Sequence, residues 1–177
     1  VEFASFHIEG EPVHSSGADV RPLPSWKTLP ELDLAYAQKQ PLLMEGGAMR
    51  GIVEAIYHGE KMDFRELTSR GMAWAFNGVA HGMGDPMFEA SIGRTVHMEL
   101  TNRSAFPHGI HVHGHHFTVL SRNGAPDPYK DVRDTVLVDA DEAVELAFVA
   151  DNPGKWMIHC HMLSHQASGM MAWFKVA

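Results

Sequence analysis

Histidine is the most unusual component of this 177-residue sequence, which contains 13 histidines and a single cysteine. Five of the histidines fall within His108–His116 and three more within His159–His165. Imidazole is the commonest metal ligand among protein side chains. A cluster of buried imidazoles without partners would instead cost about 1–3 kcal/mol for each unpaired group. The clustering therefore favours metal binding at both windows.

The spacing inside the windows indicates two sites. Side chains of a β-strand alternate between its faces, so His159 and His161 should point to one side and Cys160 to the other. His111 and His113 should likewise share a face. Two strands could therefore offer four imidazoles to one metal cluster, while Cys160 belongs to a site on the opposite face.

The second of these sites would combine a thiolate, imidazoles and a thioether. His165 follows Cys160 by five residues, Met170 follows five residues later, and His108 can add another imidazole. Two histidines, one cysteine and a weak axial methionine are the ligand set of a blue, electron-transfer copper site. A zinc site would not require the methionine, so the sequence predicts copper here.

Other histidines and methionines are weaker candidates. His115 could approach the cluster, and His116 should point away from it. We interpret neither as a ligand and expect both to lie just outside the ligands or on the surface. An isolated histidine in a strand is usually satisfied or exposed, and methionine usually fills gaps in a core. Several of the methionines sit among glycines and could capture Cu(I), but we interpret the following residues as non-ligands: His7, His14, His58, His81, His97, Met44, Met49, Met83 and Met87.

Short strands must position these residues. From Pro41 onward, short apolar runs are punctuated by Gly, Asp, Asn and Pro, a pattern typical of an antiparallel sandwich or barrel. No helical pattern is long enough to form a second layer, so we predict an all-β fold. The predicted strands are Leu42–Glu45, Ile52–Tyr57, Met72–Phe76, Thr95–Thr101, Phe117–Ser121, Thr135–Val138, Val144–Val149, Trp156–His161 and Met171–Val176.

The first forty residues differ from the rest. They contain four prolines with scattered polar residues, which predicts a connector over residues 1–40. Only Leu29–Lys39 has helix-like spacing, and we predict one short helix there. The globular domain is predicted over residues 41–177.

Charge and hydropathy exclude some partners. The sequence has 14 basic and 22 acidic residues, a net charge of −8, so it offers no basic surface for nucleic acid. No apolar run approaches the ~18 residues of a membrane span, and we expect none. Val1 is followed by Glu2 rather than by an export signal. We expect the chain to be part of a longer protein.

The two histidine windows, in this order, resemble the C-terminal copper motifs of the multicopper oxidases, the laccase-like family. The motifs read His108-x-x-His111-x-His113-Gly114 and His159-Cys160-His161-x-x-x-His165-x-x-x-x-Met170. Residues 74–78 and 151–156 resemble the strand and turn that precede these motifs in bacterial laccases. The resemblance covers about Pro41–Val176 and implies the final, C-terminal domain, a Greek-key cupredoxin β-sandwich or barrel.

The resemblance also implies a role for each ligand. The type 1 copper would be held by His108, Cys160, His165 and Met170. The type 2 copper would be held by His111, and the type 3 pair by His113, His159 and His161. Electrons would enter near His165 or His108 and pass through Cys160 to the trinuclear cluster, so the catalytic residues would be Cys160, His159, His161 and His165.

The implied reaction is one-electron oxidation of phenols, aromatic amines or metal ions, coupled to reduction of O2 to water. The family's cluster uses four His-x-His pairs, and this chain has two of them. N-terminal cupredoxin domains would supply the others, in a periplasmic or extracellular enzyme. Gln166 stands where several bacterial relatives carry a proton-donating carboxylate.

Three alternatives remain at this point. An electron-transfer cupredoxin would need the type 1 ligands but has no use for His111, His113, His159 and His161. A copper nitrite reductase-type domain would lack the bridge to a type 3 pair, and the position of His161 disfavours it. A zinc-binding or purely structural sandwich is the third.

Overall fold

Short strands dominate the described part of the chain, which in this computed structural model comprises residues 7, 9, 10 and 29–177. Two helices, each of one to two turns, interrupt the strands. The elements in chain order are β1 (Gln38–Gly46), β2 (Glu54–Tyr57), β3 (Glu60–Asp63), α1 (Phe64–Ser69), β4 (Trp74–Phe76), β5 (Glu89–Ala90), β6 (Thr95–Asn102), β7 (His108–Val112), β8 (Phe117–Arg122), β9 (Ala125–Pro126), β10 (Val132–Arg133), β11 (Thr135–Val138), β12 (Ala143–Val149), β13 (Gly154–Cys160), α2 (Leu163–Ala167) and β14 (Met171–Val176).

The strands form two facing sheets. The larger sheet has the order β10-β8-β12-β6-β1-β4, with β9 paired to β8, and the smaller sheet has the order β11-β7-β13-β14-β5. A separate hairpin consists of β2 and β3. The predicted all-β sandwich is therefore confirmed, and each predicted strand overlaps an observed one.

The pairing departs from the predicted antiparallel pattern at two places. β1 runs parallel to β6, and β14 runs parallel to β5. Parallel neighbours need a long connection rather than a tight hairpin, and in both cases many residues separate the two strands. The remaining strand pairs are antiparallel within the described residues.

Alternate residues along the strands are buried between the two sheets and form the core. In β7, His108, Ile110 and Val112 are buried, whereas Gly109 and His111 are partly exposed. The apolar residues of β6, β12 and β14 complete this core from both sheets. One face of β7 therefore looks into the apolar core, and the other looks toward solvent.

The predicted helix over Leu29–Lys39 is wrong. Residues 29–37 contain only a turn at 35–36, and β1 already begins at Gln38. The reason is pairing with a distant strand, because Gln38 to Met44 lie in parallel register with β6. The Asp33 N–H also donates to Thr95 Oγ1 at 2.9 Å, which extends the attachment upstream. Most of the predicted connector, including His14, lies outside the described residues.

Two short helices were not predicted. α1 begins with a capping box in which Asp63 and Glu66 cap each other's backbone N–H groups, a signal that the sequence does contain. α2 lacks a side-chain cap and carries His165. Both are too short to show a helical period. Among the described residues, no helix has the length and apolar character needed to cross a bilayer.

A tight turn after β7 orients the first histidine window. Gly114 has a φ of +72°, and a Cβ at this position would lie 2.4 Å from the Trp156 ring. The Asn152 side-chain amide donates to the Gly114 carbonyl at 3.0 Å, and the Trp156 indole donates to the Asn152 carbonyl at 2.8 Å. This turn therefore accepts only glycine.

Gly114→Ala should destabilise the domain by about 2 kcal/mol more than Gly124→Ala does, as measured by urea unfolding. Gly124 is a matched control, because its φ is +77° but a Cβ there would meet no atom of the described residues within 4 Å. Both variants carry the cost of positive φ, so the difference isolates the clash with Trp156. Equal losses would show that the ring moves aside freely.

Candidate metal centre

Three ligand atoms meet on the core side of β7 and β13. His108 opens β7, Cys160 ends β13 and His165 lies on α2. The Nδ1 atoms of the two imidazoles are 3.1 Å apart, and each lies 3.8 Å from the Cys160 sulfur. His108 and Cys160 have no solvent exposure, whereas His165 is half-buried.

The size of this triangle suits a single metal ion. A trigonal centre with bonds of about 2.0 Å to nitrogen and about 2.3 Å to sulfur would place its two nitrogens about 3.5 Å apart and each nitrogen about 3.7 Å from the sulfur. The observed separations of 3.1 and 3.8 Å are close to these values. The donor set of two imidazoles and one thiolate also matches copper chemistry.

The loop between β6 and β7 fixes the orientation of His108. Ser104 Oγ donates to the Phe106 carbonyl at 3.0 Å, so its own proton is already used. Ser104 must then accept from His108 Nε2–H, which lies 2.7 Å away. The His108 lone pair is therefore on Nδ1, the atom that faces Cys160. Ser104 was not among the site residues predicted from the sequence.

Backbone hydrogen bonds hold Met170 next to Cys160 and His165. Its side chain is fully buried. The Cys160 N–H donates to the Met170 carbonyl at 3.1 Å, and the Met170 N–H donates to the His165 carbonyl at 3.0 Å. Trp74 packs against both imidazoles, with ring centroids 4.5 Å from His165 and 4.9 Å from His108.

A second cluster lies on the opposite face of the same two strands. One ligand atom from each of His111, His113 and His159 lies within 4.8 Å of the others. The Nε2 atoms of His113 and His159 are 3.0 Å apart. His161 is exposed beside them, with its ring centroid 5.5 Å from that of His111. The predicted separation of these histidines from Cys160 is confirmed.

Hydrogen bonds around the second cluster orient its imidazoles, so that the nitrogen lone pairs of His111 and His159 face the centre of the cluster. Thr135 Oγ1 donates to the Asp134 carboxylate and lies 2.9 Å from His111 Nδ1. His111 Nδ1–H is also 2.9 Å from the Asp134 carbonyl, which leaves Nε2 free for a metal. His159 Nδ1–H donates to the Cys160 carbonyl at 2.9 Å. Asp134 and Thr135 were not predicted from the sequence, because they approach His111 only through pairing of β11 with β7.

His115 and His116, which were both predicted to be non-ligands, differ in burial. His115 is buried against Phe148, Phe174 and Trp156, and its Nδ1–H donates to the His113 carbonyl at 3.2 Å. Of the two predicted positions for His115, just outside the ligands or on the surface, the structure therefore shows the first. His116 is exposed.

Comparison with known proteins identifies the family. A family model described as multicopper oxidase matches residues 57–177. The chain belongs to the multicopper oxidase family. It is 35% identical over 97 residues to multicopper oxidase MmcO of Mycobacterium tuberculosis, covering 55% of this chain and 18% of that protein. It is 36% identical over 108 residues to an iron transport multicopper oxidase of Schizosaccharomyces pombe, covering 54% of this chain and 17% of that protein.

Solved multicopper oxidases share the fold. A crystal structure from Pseudomonas thermotolerans matches 94% of this chain and 36% of that chain, with a TM-score of 0.67 and 28% identity. The chain therefore spans about a third of that structure, and less than a fifth of the two curated relatives. The predicted cupredoxin β-sandwich is confirmed. Multicopper oxidases use copper, and both ligand clusters have the donor types that copper binds.

Burial prepares this multicopper oxidase domain for metal binding. Desolvation, together with the neighbouring His165, lowers the pKa of His108 to about 4. Desolvation also lowers the pKa values of His113, His159 and His165. These imidazoles are therefore neutral at pH 7, as ligands must be. Burial raises the pKa of the Cys160 thiol, so a bound metal must supply the charge that stabilises its thiolate.

Ser104→Ala should lower copper affinity by about 10–100-fold, because the buried Nε2–H of His108 loses its acceptor and the ring loses its orientation. Ser121→Ala is the matched control, since Ser121 Oγ is also buried but has no hydrogen-bond partner within the described part of the chain. Competition with a copper chelator measures both affinities. Identical affinities would contradict the role assigned to Ser104.

The metal-free domain should lose stability as the pH falls from about 6.5 to about 4. In this window the unfolded state binds more protons than the folded state, because folding lowers the pKa of His108 from 6.5 to about 4. His108 alone should contribute about 3 kcal/mol to the loss. Urea unfolding across this range tests the expectation, and His108→Gln should flatten the dependence. If His108→Gln shows the same pH dependence of stability as the unaltered domain, groups other than His108 cause the loss.

Proposed function

We propose that this chain is the C-terminal, electron-accepting domain of a multicopper oxidase. The complete enzyme would oxidise a reductant one electron at a time and reduce O2 to water. Copper bound at the two clusters would supply one-electron transfer at the first and oxygen reduction at the second. The observation that carries the proposal is that Cys160 and His159, adjacent in sequence, belong to separate ligand clusters on opposite faces of β13.

The proposed ligands follow from this arrangement. A type 1 site would use His108, Cys160, His165 and Met170. A type 2 site would use His111, and a type 3 pair would use His113, His159 and His161. The peptide between His159 and Cys160 joins the clusters covalently. The hydrogen bond from His159 Nδ1–H to the Cys160 carbonyl adds a second connection of 2.9 Å along the same path.

Electron entry is proposed at His165. His108 and Cys160 are fully buried, whereas His165 is half-buried on a short helix whose neighbour Leu163 is 74% exposed. A reductant can therefore approach the His165 edge most closely. Phenols, aromatic amines and metal ions are the proposed substrates, since relatives include proteins described as laccases and as iron multicopper oxidases.

The second cluster is open on its outer side. His161 is exposed, and His111 and His113 are partly exposed. The four imidazoles therefore line one side of the second cluster and leave its outer side uncovered. We infer that N-terminal cupredoxin domains contribute further histidines across this face, as expected for a chain that spans about a third of a related structure. A periplasmic or extracellular location for the complete enzyme is part of the proposal.

Protons must also reach this face. Gln166 has an amide, which cannot donate a proton and recover it as a carboxylic acid does. The Asp134 carboxylate is 56% exposed and lies 3.8 Å from His111 Nδ1. Asp134 also accepts from Thr135, whose hydroxyl contacts the same imidazole. We infer that Asp134 relays protons from solvent to the edge of the cluster.

Two of the earlier alternatives are less well supported. An electron-transfer cupredoxin gains nothing from a preorganised second cluster whose Nε2 atoms already face each other at 3.0 Å. A nitrite reductase-type domain does not require His161 beside that cluster. The family match agrees with this preference.

Oxygen uptake tests the proposal. With a reducing phenol in excess, the copper-loaded chain alone should turn blue and accept an electron, but it should not sustain oxygen consumption. Addition of the N-terminal cupredoxin domains of the same enzyme should produce sustained uptake with water as product. Cys160→Ser in the recombined enzyme should abolish both the blue absorption and the uptake.

Retention of blue absorption by Cys160→Ser would exclude the proposed type 1 site. Sustained oxygen uptake by the isolated chain would show that its cluster does not need the N-terminal domains.

A further inference from the structure

A cavity of about 590 Å³ lies beside the β2–β3 hairpin, and none of its lining residues belongs to either ligand cluster. Apolar residues form much of its wall, including Ile56, Val79 and Ala172. Two imidazoles from separate turns, His58 and His81, also line it. None of these residues belongs to the copper sites proposed above.

His81 carries the strongest indication of a ligand. Its Nδ1 atom is shielded from solvent and has no hydrogen-bond partner among the described residues. A buried polar atom left without a partner costs about 1–3 kcal/mol. The backbone of His81 is nevertheless held in place, because its main-chain N–H donates to the Gly169 carbonyl at 2.8 Å. A bound group would therefore remove an existing cost without requiring the backbone to move.

The second imidazole lies within reach of the first. The ring centroids of His58 and His81 are 6.4 Å apart. For comparison, the centroids of His108 and His165 are 5.0 Å apart. His58 is exposed at a hairpin turn, so rotation of its side chain can close a difference of about 1 Å.

The other donors in the cavity indicate which metal it suits. Met87 and Asp85 both line the wall, and Met87 is partly buried against the core. A set of imidazoles and a thioether favours soft copper, Cu(I), over hard cations such as Mg²⁺ or Ca²⁺. We propose that this cavity binds one Cu(I) ion between His58 and His81, with Met87 as a thioether donor. All three residues were predicted from the sequence to be non-ligands.

Backbone hydrogen bonds connect this cavity to the segment that contains Met170. His81 N–H bonds to the Gly169 carbonyl, and Gly82 N–H bonds to the Met171 carbonyl at 2.8 Å. These two acceptors flank Met170 in the sequence. The accessory site shares no ligand with either cluster, so its existence does not depend on the oxidase reaction.

Anaerobic titration with Cu(I), in competition with a chromogenic chelator, tests the site. His81→Asn and His58→Asn each remove an imidazole, and asparagine tolerates the positive φ of +54° and +50° found at these positions. The control is His97→Gln, because His97 contacts Glu145 at 3.1 Å in the larger sheet and is remote from the cavity.

Each single variant should bind one Cu(I) fewer than the unaltered chain, through at least a tenfold loss of affinity at this site. The double variant should lose no further ion, since both imidazoles would hold the same one. His97→Gln should bind the unaltered number, and all variants should keep the blue absorption after oxidation. Because His58 is exposed, His58→Asn tests the site even if His81→Asn fails to fold.

Retention of the full number of Cu(I) ions by either folded single variant would overturn the proposal. Loss of two ions by the double variant would also overturn it, because each imidazole would then serve a separate ion. Loss of the blue absorption by these variants would instead mean that the cavity is part of the type 1 centre.

Discussion

Neighbouring side chains of a β-strand must point to opposite faces, and the end of β13 applies this constraint to metal ligands. Cys160 points into the core beside His108 and His165, whereas His159 points outward beside His111 and His113. Pairing with β7 fixes the arrangement, because His159 lies opposite His111 and Cys160 lies opposite Ile110. A slip of one residue would exchange the two faces. The register of these two strands thus decides which donor serves which site.

The two faces offer different environments to similar side chains. The core face is dry, so the imidazole of His108 is strongly biased toward its neutral form and the thiol of Cys160 toward its protonated form. The outer face is more open, and backbone carbonyls and Thr135 orient its imidazoles. For His108, His111 and His159, the ring nitrogen remote from the site has a hydrogen-bond acceptor. The fold therefore prepares the lone pairs before any metal arrives.

Local sequence patterns predicted the parts of the site that lie within single strands. Alternation alone separated Cys160 from its histidine neighbours, and apolar runs located the strands. Long-range pairing explains the failures. The helical spacing of Leu29–Lys39 was overridden by pairing with β6. Asp134 and Ser104 contact the ligands only after β11 and the β6–β7 loop fold against β7. The cavity beside the β2–β3 hairpin is built from three separate segments, and no single segment predicts it.

The copper positions themselves test the central claim most directly. Crystals of the copper-loaded chain, measured by anomalous diffraction at the copper absorption edge, should show a copper ion bonded to Cys160, His108 and His165 on the core side of β13. Any copper bound by His159 should lie on the opposite face, with His111 and His113. A copper ion bonded to both Cys160 and His159 would contradict the account, as would a crystal in which copper occupies the outer cluster and leaves Cys160 free.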